Sequence, residues 1–261
     1  MNIVVLVKQV PDTNEVKIDQ ETGRIMREGL PSIINPDDKA GIEEALKIKD
    51  QNGAHVTVLS MGPPQAAEAL REAYAMGCDE VILLTDRAFG GADTWATSTA
   101  LAAAINSLDY DLIIAGRQAI DGDTAQVGPQ TAEHLGIPSI SYVEEVRDIN
   151  SSNITVKRQF EDRFQIIKAN YPVLITTLGE MNSPRYMRVS RIFDANKEDI
   201  VKIWTVDDIE VDRDNIGLAG SPTRVKRSFT KGAKQAGKVF DVNAEEGANL
   251  IVDKLANEFL I

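Results

Sequence analysis

Short unbroken apolar runs alternate along the first half of the chain with stretches in which apolar residues return every third or fourth position. A run of four or five largely β-branched residues suits a strand covered on both faces, whereas the second spacing draws one apolar stripe along a helix. Strands are therefore expected at residues 3–7, 56–59, 80–84 and 111–115. Between them, Asn35 or Asp37 caps a helix carrying Ile42, Ala45, Leu46 and Lys49, and Met61-Gly62-Pro63 turns into a helix over 64–76. A long loop at 85–93 leads into a helix over 94–107. Strand and helix in strict alternation predict an α/β fold with a right-handed, doubly wound, mostly parallel Rossmann-like sheet, its ligand-binding loops at the carboxyl ends of the strands. Residues 16–34 break the alternation and read as a hairpin insertion: Val16 and Ile18 alternate with charge, Thr22-Gly23 makes the turn, and Ile25 and Met26 return.

Beyond Pro138 the pattern changes. Residues 154–160, 164–168 and 173–177 alternate or run apolar between charged turns, which predicts an antiparallel extension of the sheet. Arg158, Glu161, Asp162 and Arg163 crowd one of those turns, and a solvated strand edge is expected for them. Residues 181–191, with Pro184, Tyr186 and three arginines, read as an exposed loop. From Thr205 periodicity fades: 207–214 is acidic, 217–222 is loop and 224–238 is basic. A closing amphipathic helix carries Ala248, Leu250, Ile251, Leu255, Phe259 and Leu260. The expected organisation is an α/β domain over 1–228 and a C-terminal helical arm over 229–261.

Composition removes several classes of function. At 261 residues, 43% hydrophobic and 26% charged, the chain is ordinary for a soluble globular protein. No apolar run nears membrane-spanning length and the first strand begins at once, so no membrane insertion and a cytoplasmic location are expected. Cys78 is the only cysteine, which excludes an internal disulfide and a cysteine-ligated cluster, and His55 and His134 are too few for a histidine-rich metal site. A balance of 28 basic against 40 acidic residues, net −12, opposes nucleic-acid binding, and Phe229 is the sole aromatic of the basic run.

The densest chemistry lies at 111–130. The apolar run Leu112, Ile113, Ile114, Ala115 stops at Gly116, and Arg117, Gln118, Asp121, Asp123, Thr124 and Gln126 crowd a turn that two glycines would make unaided. An ordinary strand-turn-helix unit is one reading. The other is a nucleotide site: Asp121 or Asp123 would cap a helix carrying Ala125, Val127, Thr131, Ala132 and Leu135. Free N–H groups and the positive end of the helix dipole would then face the sheet edge, where phosphate binds. Loops beginning at Lys8, Asn35, Met61 and Gly116 converge there, without the GxGxxG fingerprint of dinucleotide folds. The residues alone therefore point to an adenine-nucleotide-binding domain with no nucleophile-base set and no metal site.

The run Gly116-Arg117-Gln118-Ala119-Ile120-Asp121-Gly122-Asp123-Thr124-Ala125-Gln126-Val127-Gly128-Pro129-Gln130 resembles the nucleotide-binding loop of electron-transfer flavoprotein beta subunits. Val7-Lys8-Gln9-Val10-Pro11-Asp12, Asn35-Pro36-Asp37-Asp38, Ser60-Met61-Gly62-Pro63, and Val156-Lys157-Arg158 through Pro172-Val173-Leu174-Ile175-Thr176 resemble that family in the family's order, so the likeness covers essentially the whole chain.

The resemblance implies a flavin shared with a mobile domain of an alpha subunit, and a beta-subunit pocket that holds AMP in ordinary members or a second FAD in electron-bifurcating ones. Arg117, Gly122, Thr124 and Val127-Gly128-Pro129 are more similar to the bifurcating anaerobic subgroup. On that likeness the ADP half of FAD is expected on Leu6, Asn35, Pro36, Asp37, Asp38, Met61, Gly116, Arg117, Gln118, Ala119, Ile120, Asp121, Gly122, Asp123, Thr124, Ala125, Gln126 and Val127, with the isoalloxazine facing the alpha subunit. NADH would supply a hydride, and its two electrons would divide between a flavin-dependent dehydrogenase, reached through the other FAD, and a ferredoxin or flavodoxin. The chain positions and tunes, and the flavin carries the chemistry. The resemblance also implies that 181–197 recognises the dehydrogenase, with Val189 where other members can carry leucine, and that the C-terminal arm embraces the alpha subunit. Three alternatives stand beside it: an AMP-binding carrier without bifurcation, a non-redox nucleotide sensor of the universal-stress type, and a scaffold subunit that binds no nucleotide.

Overall fold

The computed structural model describes residues 1–12, 17–18, 25–26, 31–197, 199–224 and 237–261. In chain order its strands are β1 (Asn2–Leu6), β2 (Gln9–Pro11), β3 (Lys17–Ile18), β4 (Ile25–Met26), β5 (Ser32–Ile34), β6 (His55–Met61), β7 (Glu80–Leu84), β8 (Leu112–Gly116), β9 (Ser139–Ile149), β10 (Asn153–Gln159), β11 (Phe164–Asn170), β12 (Val173–Thr177) and β13 (Val201–Trp204). The helices are α1 (Pro36–Asn52), α2 (Ala67–Met76), α3 (Thr94–Ile105), α4 (Val127–Leu135), α5 (Val189–Ala195), α6 (Gly217–Gly220) and α7 (Ala244–Asn257).

Successive side chains of a strand point to opposite faces, and β1 uses both. Ile3 and Val5 enter a core with Ile42 and Leu46 of α1 and Leu70 and Met76 of α2. Val4 and Leu6 enter a second core with Ala100, Leu101 and Ile105 of α3 and Ala132 of α4. Helices thus cover both faces of the sheet, and each fully buried Ile or Leu contributes about 1.5–3 kcal/mol. The nine-stranded sheet runs β11-β10-β9-β12-β8-β1-β6-β7-β13. Every pairing from β9 across to β13 is parallel, and β9, β10 and β11 pair antiparallel. The chain moves outward from β1 through β6 to β7 and then returns to place β8 on the other side of β1. Between β1 and β8 the order reverses, and in open parallel sheets a crevice for ligands opens outside the strand ends at such a point.

The expected doubly wound α/β sheet with an antiparallel extension is present, with four local differences. β12 was expected to be antiparallel but lies parallel between β8 and β9; all five of its residues are buried, the mark of a strand covered on both faces. β9 and β13 were not anticipated: β9 alternates loosely and is bulged, while β13 is a four-residue edge. The hairpin insertion pairs Lys17 with Met26 and Ile18 with Ile25, and its base continues as the ladder of β2 with β5; Val16 and the Thr22-Gly23 turn lie outside the described residues. Residues 206–224, where periodicity fades and 217–222 was expected to be loop, contain two short 3-10 turns and α6, and they pack against the 85–93 loop: Asp93 accepts from Thr223 N and Oγ1 at 2.9 and 2.7 Å, and Leu218 N donates to Gly90 O at 3.0 Å.

Contacts divide the chain into Met1–Arg224 and Val225–Ile261. In the second unit the basic run over 225–236 lies outside the described residues. Its helix α7 is capped by Asn243, whose Oδ1 accepts from Glu246 N at 3.0 Å, with Glu245 and Glu246 in the first turn where the helix dipole favours them.

Candidate functional site

At the switch point the start of α1 supplies the floor. Asn35 is the N-cap of α1, yet its side chain makes no capping bond. Fully buried, it reaches into the loop after β8: Nδ2 donates to Gln118 O at 2.8 Å and Oδ1 accepts from Ile120 N at 3.1 Å. Asp38 ties the two strands together, accepting from Lys8 N at 2.7 Å and from Gly116 N at 3.1 Å. Burial pushes its carboxyl up to about 7, although the N–H donors of Lys8 and Gly116 and the Asn35 side chain pull the other way.

Asp37 faces Arg117. Arg117 Nε lies 3.2 Å from Asp37 Oδ2, close enough for charge attraction but misaligned, so both atoms are buried without a hydrogen-bond partner. Desolvation raises the Asp37 carboxyl, opposed by the Arg117 charge and by the N–H groups of Gln118 and Gly179. Gly116 is required by this crowding: a Cβ there would come within 2.1 Å of Asp38 Oδ1 and 2.8 Å of Asp38 N. The loop then rises over the floor with Asp123 and Ala125 both at φ +53°, a left-handed conformation uncommon for residues with a Cβ and characteristic of functional turns.

The expected caps are absent. Gln126, not Asp121 or Asp123, is the N-cap of α4, and no side chain caps that helix. Asp121 instead pairs with Lys8 Nζ at 2.7 Å, Asp123 accepts from Gln118 Nε2, and Gln126 Oε1 accepts from Thr94 Oγ1 at 2.9 Å. The structure gathers Asn35, Asp37, Asp38 and the loop from Gly116 to Val127 at one edge. Within the loop the Ala119 carbonyl accepts from Gly122 N and Asp123 N, and Gly122, Thr124 and the tip around Ile120 are exposed. Pro36 is the exposed first residue of α1. Leu6 and Met61 reach the same edge only through their strand ends, since both side chains pack into the α3/α4 core. The loop beginning at Lys8 was expected at this edge, but Lys8, Thr94 and Thr177 were not among the expected nucleotide contacts. Thr177 Oγ1 donates to Asp37 O at 3.0 Å, and Arg117 N donates to Thr177 O at 2.9 Å. Position alone points to both Lys8 and Thr177, which lie two residues beyond β1 and at the end of β12. Two clefts, of about 520 and 280 Å³, lie elsewhere, one between α1 and β9 and one between β5, α2 and α5. Neither is lined by the 116–127 loop, so the switch-point geometry locates the candidate site.

A profile of the electron transfer flavoprotein domain matches residues 22–208. The electron transfer flavoprotein subunit beta of Clostridium acetobutylicum is 58% identical over all of both chains. The CarD subunit of the caffeyl-CoA reductase-Etf complex of Acetobacterium woodii is 52% identical, again over all of both chains. The chain belongs to the electron transfer flavoprotein beta-subunit family. The acryloyl-CoA reductase electron transfer subunit gamma of Anaerotignum propionicum is a further relative, 42% identical over all of both chains.

This electron transfer flavoprotein subunit carries a second distinctive surface at 182–197. It is more structured than the exposed loop expected over 181–191, because Arg185 and Arg191 are spent on the domain. Arg185 forks onto Glu43 at 3.0 Å through Nε and again through Nη2, and reaches Asp50 Oδ2 at 2.8 Å. Arg191 lies over the Tyr74 ring, 4.1 Å from its centroid. Held this way, the segment presents Tyr186, Met187, Val189 and Phe193 to solvent.

Proposed function

We propose that this beta subunit binds FAD over the Asn35/Asp38 floor and works with an alpha subunit as an electron-bifurcating electron-transfer flavoprotein. The observation that carries this reading is the use of the α1 start: Asn35, a residue type that normally caps its own helix, is buried and holds a polar, partly left-handed loop against the switch point. The unpartnered Nε of Arg117, the uncapped first turn of α4 and the polar, exposed tip from Asp121 to Thr124 suit a diphosphate and ribose. Asp121 and Thr124 are the exposed polar groups offered to the sugar and phosphates, Arg117 supplies positive charge, and Asn35 and Asp38 hold the loop that presents them. When bound, FAD supplies two-electron exchange with NADH and one-electron exchange with partners.

The names of two relatives, a caffeyl-CoA reductase-Etf complex subunit and an acryloyl-CoA reductase electron transfer subunit, favour an enzyme acting on acyl-CoA thioesters as one electron acceptor. In this reading it is a flavin-dependent dehydrogenase that docks on the exposed Tyr186, Val189 and Phe193, and a ferredoxin or flavodoxin is the low-potential acceptor. The arm over 229–261 would pack on the alpha subunit, leaving 1–228 as the nucleotide-binding domain. Redox activity belongs to the complex. No helix among the described residues is long and apolar enough to cross a membrane. The test is mass analysis of cofactors released from the chain co-purified with its alpha subunit. Two FAD per heterodimer, both reduced by NADH, support the proposal; one FAD with one AMP reduces the function to one-path electron carriage.

A further inference from the structure

Asp37 and Asp38 lie side by side under the loop, each 7% exposed. Arg117 of the loop and Glu180 of the turn after β12 face Asp37, while from β1 and β8 only the backbone N–H groups of Lys8 and Gly116 reach Asp38. The Lys8 ammonium is turned away to Asp121. Among the described residues, two buried carboxylates therefore share one guanidinium, and its contact with Asp37 is misaligned and makes no hydrogen bond. A diphosphate settling over the loop competes for that guanidinium and brings negative charge of its own. Both changes favour a proton on the carboxylates beneath.

We propose that seating a nucleotide diphosphate over residues 116–126 is linked to uptake of a proton from solvent by the Asp37–Asp38 pair, and that the proton leaves with the nucleotide. The inference rests on the nucleotide-binding reading above and adds a regulator to that site. Affinity then rises as pH falls, by up to about tenfold per pH unit, within a window that begins above 7 and closes where the pair is already protonated without ligand. The two histidines lie apart: His55 sits at the start of β6 beside Asp79 and Glu80, and His134 in the last turn of α4 beside Thr99.

The experiment is calorimetric titration of FAD, whose bridging diphosphate keeps its charge across this range, into the alpha-subunit complex stripped of the nucleotide on this loop. It is run just above pH 7 in two buffers of different ionisation enthalpy, so that the buffer dependence counts protons. A buffer-dependent heat of the sign for uptake is expected. Asp37→Asn and Asp38→Asn should each bring the count toward zero, and a His55→Gln/His134→Gln double variant should keep it. Should Asp38→Asn fail to fold, Asp37→Asn reads the same quantity. FAD binding with no buffer dependence overturns the linkage and leaves nucleotide binding standing, as does a proton count unchanged in both aspartate variants. Absence of any FAD binding overturns both.

Discussion

Replacing Asn35 by alanine removes the two bonds that hold the 116–126 loop from below, those to Gln118 O at 2.8 Å and Ile120 N at 3.1 Å. Each is worth about 0.5–1.5 kcal/mol net, and orphaned partners that stayed dry would cost about 1–3 kcal/mol apiece. Ile120 is 38% exposed and Gln118 half-buried, so both released groups can turn to water. The lower figure therefore applies, about 1–3 kcal/mol in total. Because every 1.4 kcal/mol is tenfold, the loop should open about 5- to 150-fold more often. Native-state amide exchange reads this directly: the Ile120 N–H should exchange faster by that factor, while amides of β1 and β8 change little and nucleotide affinity falls in parallel. If Ile120 exchanges at an unchanged rate, Asn35 does not hold the loop. A uniform acceleration across the sheet would instead make it an ordinary core residue.

Gly116→Ala places a methyl within 2.1 Å of Asp38 Oδ1, and overpacking with a damaged charge-assisted bond should cost about 2–5 kcal/mol in urea unfolding; a loss below about 1 kcal/mol would show that β8 and α1 separate freely. Arg185→Ala leaves the Glu43 carboxylate, 5% exposed, without its guanidinium. Breaking a buried pair costs about 3–5 kcal/mol, and with Arg185 23% exposed the figure is nearer about 2; the melting temperature should drop and protease cleavage at 182–188 should quicken, and an unchanged melting temperature with unchanged cleavage would refute the stapling role. The Asp38 carboxyl binds its proton more tightly folded than unfolded, so its contribution to stability is complete below pH 3.8 and is lost as pH rises through about 7. The urea-unfolding difference between wild type and Asp38→Asn should decline across that window, and a difference that grows with pH would reverse the sign.

Residues that answer to their own neighbourhood were legible in the chain. The runs at 3–7, 80–84 and 111–115 became β1, β7 and β8 within a residue, because burial on both faces leaves an unbroken apolar signature. β12 carried the same signature, and its antiparallel reading came from the alternating strands around it. Side-chain roles at the site were harder. Asn35 and Asp121 look like caps by local rules, yet Asn35 finds its partners 83 and 85 positions away and Asp121 finds Lys8 113 positions away. Capping propensity is a contest among available donors, and only the folded sheet brings the winning donors near. The arginines at 185 and 191 were legible as charge but not as staples, since Glu43 and Tyr74 lie on helices made far earlier in the chain.

The place of β12 bears on when the protein can first work. The ribosome delivers β9, β10 and β11 before β12, yet in the sheet β12 stands between β9 and β8. A nascent chain that ends short of Thr177 keeps β8 as an open edge, with no partner on the side where β12 will lie. Such edges invite wrong pairing, so this is the stretch of synthesis during which a chaperone has most to protect. The same strand end completes the floor of the loop, through Thr177 to Asp37 O and Arg117 N. On the proposed reading, nucleotide loading must therefore follow the emergence of β12, and growing chains that end short of Thr177 would not bind the nucleotide.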